Sequence, residues 1–225
     1  MNLIFADYVC DHKVHCFDHS DEDEEYCPSL KLGPNYNKKY PPMPGFATFG
    51  KDHYLSLNTN IHILDIISIN QDPGQINVYI KITLTWFDDG VRFYYLKDDH
   101  HRNPISNIIE KSIWIPKIGF TYLDDEEKTT FRNLVVEKNS KPIISGNITD
   151  LYPNYFYEGS QNALHLLTYQ MIGFLCHFKY LSYEYPFGQD TCSLYIYFKD
   201  NDNFLATFNV TSLGFNKLLN LSIFL

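Results

Sequence analysis

The sequence has no run of about 18 apolar residues, so no stretch is long enough to cross a bilayer as a helix. It has no Cys-x-x-Cys pair, which removes the usual spacings of zinc ribbons and thioredoxin-like centres. Basic residues are not in excess: the formal charge is -9, and no nucleic-acid surface is expected. Gly-x-Ser-x-Gly, His-Glu-x-x-His, the phosphate-binding loop and Gly-x-Gly-x-x-Gly are all missing. Catalysis needs a nucleophile, a base and a stabiliser brought together, so an enzyme is not expected. No segment carries a long 3.6-residue period. The opening, MNLIFADYVC, has no basic start and no long apolar stretch, which makes it a poor signal peptide. With an odd number of cysteines, the chain reads as a truncated piece of an exported protein.

What is present points to strands. The chain has 225 residues, 44% hydrophobic and 16% aromatic, enough for one mid-sized core with a small appendage. Eighteen tyrosines and 17 phenylalanines favour strands over helices. Cysteines stand at 10, 16, 27, 176 and 192, and Asn-x-Ser/Thr acceptor sequences at Asn147, Asn209 and Asn220. Together they favour an exported protein in an oxidising compartment.

Three regions follow from composition. Residues 1–27 form a small unit rich in cysteine and acid; DHSDEDEE at 18–25 holds six carboxylates. Residues 28–50 hold five prolines and several glycines and read as a linker. From residue 51 onward alternation takes over. Leu57, Ile61, Ile63 and Ile67 share one parity. Ile76, Val78, Ile80, Ile82, Leu84 and Trp86 share another, facing Asn77, Tyr79, Lys81, Thr83 and Thr85. This is the period-two signature of half-buried strands, and QDPGQ between them is a turn. Further strands are expected at 131–138, 163–169, 171–180, 192–198 and 203–210. Many short strands with turns between them predict an all-β sandwich or barrel over 51–225.

The first unit runs Cys10-Asp11-His12-Lys13-Val14-His15-Cys16-Phe17-Asp18-His19-Ser20-Asp21-Glu22 and closes at Cys27. Its carboxylates suit a solvated acidic loop or a calcium cage, since calcium takes six to eight hard oxygens. Zinc through Cys10, His12, His15, Cys16 and His19 fits no standard spacing. Cys10-Asp11, Cys16, Asp18, Ser20-Asp21-Glu22 and Cys27 resemble the second half of an LDL-receptor class A repeat. The resemblance implies calcium held by side chains of Asp11, Asp21 and Glu22 and by carbonyls of Tyr8 and Lys13. It also implies a Cys10–Cys27 disulfide, with Cys16 left alone. His15 stands where a fourth acid belongs, and His12 and His19 replace both glycines, so any calcium site is incomplete.

Cys176 and Cys192 bracket CHFKYLSYEYPFGQDTC. Pro186 interrupts an aromatic run and Gly188 loosens it, so a turn joins two strands. A disulfide here would restrict the unfolded chain by roughly 3 kcal/mol, and a plain hairpin staple explains that much. The neighbours carry more. Trp86-x-Asp88 ends a long alternating strand; Ile113-Trp114-x-Pro116 follows; then comes the loop, with Tyr185-Pro186-Phe187 ahead of Cys192. In this order the motifs resemble the extracellular domain of pentameric, Cys-loop neurotransmitter-gated ion channels, over about residues 52–210.

The resemblance implies an immunoglobulin-like twisted β-sandwich that assembles with other channel subunits into a five-fold ring. A small ligand would sit between neighbours, and the Cys176–Cys192 loop would rest on a membrane domain. Trp86, Asp88, Trp114, Pro116, Pro186 and Phe187 become structural motif residues, and Lys81, Phe120, Tyr122 and Lys199 fall at ligand-site positions. Two lysines in place of box aromatics disfavour a quaternary amine, which is held by cation–π attraction, and favour an anionic ligand or none. Gly188 and Asp190 replace the family's Asp and Gln, and the loop has two extra residues. Only 33 residues follow Cys192, so the chain would lack the ligand-capping loop and pore helices. Two alternatives remain: a secreted ligand-binding protein of the acetylcholine-binding type, and an LDL-receptor-A adhesion module on an unrelated sandwich. A fold without a shared Trp86/Trp114 core would favour the last.

Overall fold

The computed structural model describes residues 15–21, 29–42, 55–70, 74–99, 103–120, 128–145, 154–175, 192–199, 206–215 and 221–224. The described residues are nearly all strand. In chain order they form β1 (Ser29–Leu32), β2 (Leu55–Asn70), β3 (Gln75–Trp86), β4 (Val91–Tyr94), the single-turn helix α1 (Asn107–Glu110), β5 (Ile118–Phe120) and β6 (Lys128–Glu137). Next come β7 (Ile143–Ser145), β8 (Asn154–Glu158), β9 (Ala163–Leu175), β10 (Cys192–Phe198), β11 (Ala206–Phe215) and β12 (Leu221–Phe224). The protein is all-β, and its described strands form three sheets in the orders β1-β4-β8-β7, β12-β10-β5 and β11-β2-β3-β9-β6.

The long strands follow from alternation. Every second residue of β3, from Ile76 to Trp86, is buried and every intervening one is half-exposed, because successive side chains leave a strand on opposite faces. The first half of β2 behaves alike, with Thr59 replacing an apolar residue and donating its hydroxyl to the Leu57 carbonyl. Burial then stops: Ile67 is 46% exposed and Ile69 49%. Parity decides which face a residue takes, and whether anything covers that face is a separate matter. The two expected strands at 163–169 and 171–180 are one, β9, continuing through buried Gln170. Gly173 lets β9 pass beneath polar neighbours: a Cβ there would lie 2.5 Å from Asn77 Oδ1 and 2.9 Å from Gln75 Nε2. Of the expected turn, Gly74 is described, with φ 85 and its N–H donating to the Asn70 carbonyl.

The linker expected over 28–50 is corrected at its start. Ser29–Leu32 pairs antiparallel with β4, Lys31 opposite Arg92 and Leu32 opposite Val91. Gly33 N–H continues that pairing onto the Gly90 carbonyl at 2.8 Å. Composition favours a linker here, but four residues with ladder partners suffice for a strand.

The described fold divides into two compact units, Met1–Leu55, Thr85–Ile115 and Asn133–Leu166 in the first, and Ser56–Leu84, Pro116–Arg132 and Leu167–Leu225 in the second. In the first unit, Trp86 and Trp114 meet edge to face, centroids 5.9 Å apart at 88°. Two fully buried asparagines replace missing ladders there. Asn103 accepts from Lys97 N–H and donates to the carbonyls of Lys97 and Val136. Asn162 accepts from the N–H groups of Asn139 and Ser140 and donates to Ser140 Oγ and the Glu158 carbonyl. Buried amides are stable only when satisfied this way. Lys31 lies 5.0 Å over the Tyr94 ring and Arg92 4.9 Å over the buried Phe156 ring, two cation–π contacts that brace β1, β4 and β8 diagonally.

Candidate functional site

The Trp86-x-Asp88 motif builds a polar node in the first unit. After β3 ends at Trp86, a turn carries Asp88 inward until it is fully buried. Its Oδ2 accepts from the Tyr36 hydroxyl at 2.7 Å and its Oδ1 from Gly90 N–H at 3.0 Å. The same hydroxyl accepts from Trp114 N–H at 2.8 Å. One phenol thus links Asp88 to Trp114. Gly90 leaves room for it, since a Cβ there would lie 2.6 Å from the Tyr36 ring. Gly159 closes the node from β8's end: its N–H donates to the Val91 carbonyl, and its carbonyl accepts from Asp88 N–H.

Burial pushes the Asp88 carboxyl above its ordinary range, outweighing the Tyr36 and Gly90 donors, and neighbouring Asp89 adds to the rise. Burial and then Asp88 hold the Tyr36 phenol far above its usual range, so it remains a donor. A raised carboxyl pKa gives stability that is complete below the unfolded value and lost as pH rises through the folded one. Asp88→Asn removes that dependence. In urea titrations at about pH 4 and about pH 7, the wild type should lose ground to the variant as pH rises. The opposite trend would mean that the donors outweigh burial.

In the second unit, Lys81 points from the polar face of β3 onto an aromatic cluster. Its Nζ lies 6.0 Å from the centroid of Tyr169, on β9. Tyr79 stacks against Tyr169 at 6.0 Å, and Phe131, on β6, meets its edge at 5.7 Å. Thr130 Oγ1 donates to the Tyr169 carbonyl at 3.0 Å and sits 3.2 Å from the Tyr79 hydroxyl. Phe131 is 48% exposed, so the cluster opens to solvent. Among the described residues no carboxylate pairs with Lys81. Lys138, in the first unit, differs: it lies over Tyr157 and also binds Asp98 at 2.7 Å.

Of the other expected ligand positions, Phe120 and Lys199 are described. Phe120 is 4% exposed and lies on the core side of β5, opposite Ile196. Its parity puts Gly119 outward instead. Tyr197 and Lys199 cross over Gly119, where a Cβ would meet them at 2.8 and 2.9 Å. Lys199 N–H donates to the Lys117 carbonyl at 2.7 Å. Pro116 is buried and Lys117 exposed. Tyr122, Pro186 and Phe187 lie outside the described residues, as do Cys176, Cys10, Cys27, Asn147 and Asn220. Of Cys192 only the backbone is described, pairing in β10 with Leu221.

Of the expected calcium ligands, Asp11 and Glu22 lie outside the described residues. Asp21 is buried, and its Oδ2 accepts from His15 N–H. Ser20 caps Asp18 through its hydroxyl at 2.8 Å and its N–H at 3.3 Å. His19 has φ 57, a left-handed backbone that favours glycine, and it occupies a glycine position of the resembled repeat. Cys16 is a half-buried free thiol. No metal-binding group forms among the described residues.

Sequence reading missed Tyr36, Tyr169, Phe131 and Gly159. It also missed a chain across β3, β9 and β6 in the first unit: Thr85 Oγ1 is 2.9 Å from His165 Nδ1, and His165 Nε2 is 2.6 Å from Glu137. The outward parity of Tyr169 within β9 was the one available signal; register alone brings it to Lys81. No protein-family model matches the chain, and no curated protein matches it.

Proposed function

We propose that this chain is the extracellular ligand-binding region of a ligand-gated ion channel subunit of the Cys-loop type, folded as an immunoglobulin-like sandwich. One observation carries the reading: the two motifs that resemble the family, Trp86-x-Asp88 and Ile113-Trp114, converge on one buried cluster. An adhesion module on an unrelated sandwich gives no reason for that convergence. The left-handed His19 fits a decayed LDL-receptor class A repeat in front. Other subunits are the proposed partners, in a ring, with the pore contributed by sequence beyond this chain.

The proposed ligand is a small organic anion. Lys81 would meet its charge, while Phe131, Tyr79 and Tyr169 would take its apolar body. Benzoate and trimethylphenylammonium form a test pair of similar size and opposite charge. Tyrosine resonances should shift with benzoate and not with the ammonium. Lys81→Ala should weaken benzoate binding about tenfold, the worth of one charge-assisted hydrogen bond, and Lys81→Arg should retain it. Preference for the ammonium, or indifference to Lys81→Ala, would overturn the ligand assignment. Native mass spectrometry for a five-fold ring tests the assembly separately.

A further inference from the structure

The acceptor sequence Asn209-Val210-Thr211 lies within β11, at one edge of the five-stranded sheet. Alternation divides its first residues cleanly. Ala206 is buried, and Phe208 stacks on Phe198 with centroids 4.0 Å apart. Thr207 and Asn209 take the opposite parity and are exposed. Asn209 Nδ2 donates to Asn58 Oδ1, on β2, at 3.0 Å. The residue whose amide nitrogen a glycan would occupy is therefore on the surface, and among the described residues Asn58 holds that nitrogen.

We infer that Asn209 carries an N-linked glycan and that Asn58 orients its stem. The donor is a lipid-pyrophosphate-linked oligosaccharide. Nδ2 attacks the first sugar's anomeric carbon, an N–C bond forms, and the C–O bond to pyrophosphate breaks. The lipid pyrophosphate leaves with the electron pair, and one amide proton passes to solvent. The amide keeps its second N–H, which continues to donate to Asn58 Oδ1. The sugar then stands on the polar face beside β2, on the strand that ends the described five-stranded sheet.

The inference rests on the extracellular placement proposed above. The test is site mapping of the full chain routed through the secretory pathway behind a cleavable leader, with intact mass read before and after enzymatic deglycosylation. A glycopeptide containing Asn209 is expected. Asn209→Gln and Thr211→Ala should each lose one glycan. Asn58→Ala should keep the glycan but speed exchange of the remaining Nδ2 proton, which a merely exposed Asn209 would not show. Both secreted and cell-retained protein are mapped, because the sugar is added before folding, so a misfolded variant still reports occupancy. A bare Asn209, whatever the state of Asn147 and Asn220, overturns the inference. Unchanged proton exchange in Asn58→Ala overturns the role of Asn58. Benzoate binding and ring assembly, measured on unglycosylated protein, test the receptor reading independently.

Discussion

Alanine at position 159 should destabilise the protein by at least about 3 kcal/mol. A Cβ there would lie 2.0 Å from the Asp88 carbonyl oxygen and 2.9 Å from that of Val91. Both are backbone atoms and cannot swing aside as a side chain would. Relieving the clash means moving β8's end away from the turn after β3, which breaks the Gly159–Val91 and Asp88–Gly159 hydrogen bonds. A large fall in the urea midpoint is the expected result. Gly119→Ala is the matched control. Its Cβ meets the tip of Tyr197 and the flexible stem of Lys199, which can shift, so the loss should be no more than about 1 kcal/mol. Equal effects at the two positions would show that the corner is not held by the contacts described.

Tyr36→Phe should lose about 3 kcal/mol while removing one oxygen atom. That oxygen serves two buried groups together, donating to Asp88 and accepting from Trp114 N–H. Without it, a carboxylate in a poorly solvated place loses its charge-assisted donor, and a main-chain N–H loses its acceptor. Unmade buried bonds cost more than made ones contribute. Tyr155→Phe is the control, since Tyr155 is substantially exposed. Fluorescence of the Trp86/Trp114 pair during unfolding reads the same region directly. A loss in Tyr36→Phe no greater than in Tyr155→Phe would mean that water replaces the phenol at little expense.

The regular part of this fold was legible because β3 and β2 write their burial into every second residue. Trp86, Asp88 and Trp114 were legible as motif residues. Tyr36 was not: it sits in a proline- and glycine-rich stretch with no period, and only the folded chain brings it to Asp88. Lys81 was found by counting back from Trp86. Its aromatic companions come from β6 and β9 through sheet register, and register between distant strands is not written in either strand alone. Phe120 illustrates the weight of parity. The resemblance points to Phe120 and Tyr122, and in β5 a shift of one residue changes the face: Phe120 itself lies among the buried side chains. Ile67 failed for a third reason, because alternation says nothing about where the covering layer ends.

Asn162 has a bearing on how this protein can change length. Its side chain grips the main chain at Asn139 and Ser140, just past β6, and also the Glu158 carbonyl at the end of β8. An insertion or deletion between Glu137 and Ser140 would pull one of those groups off the amide and leave a buried polar atom stranded. The short connection leaving β6 looks like an ordinary surface loop, the usual place for related chains to gain or lose residues. Here it is calibrated to one side chain, so length variation should be excluded from it for as long as position 162 remains asparagine.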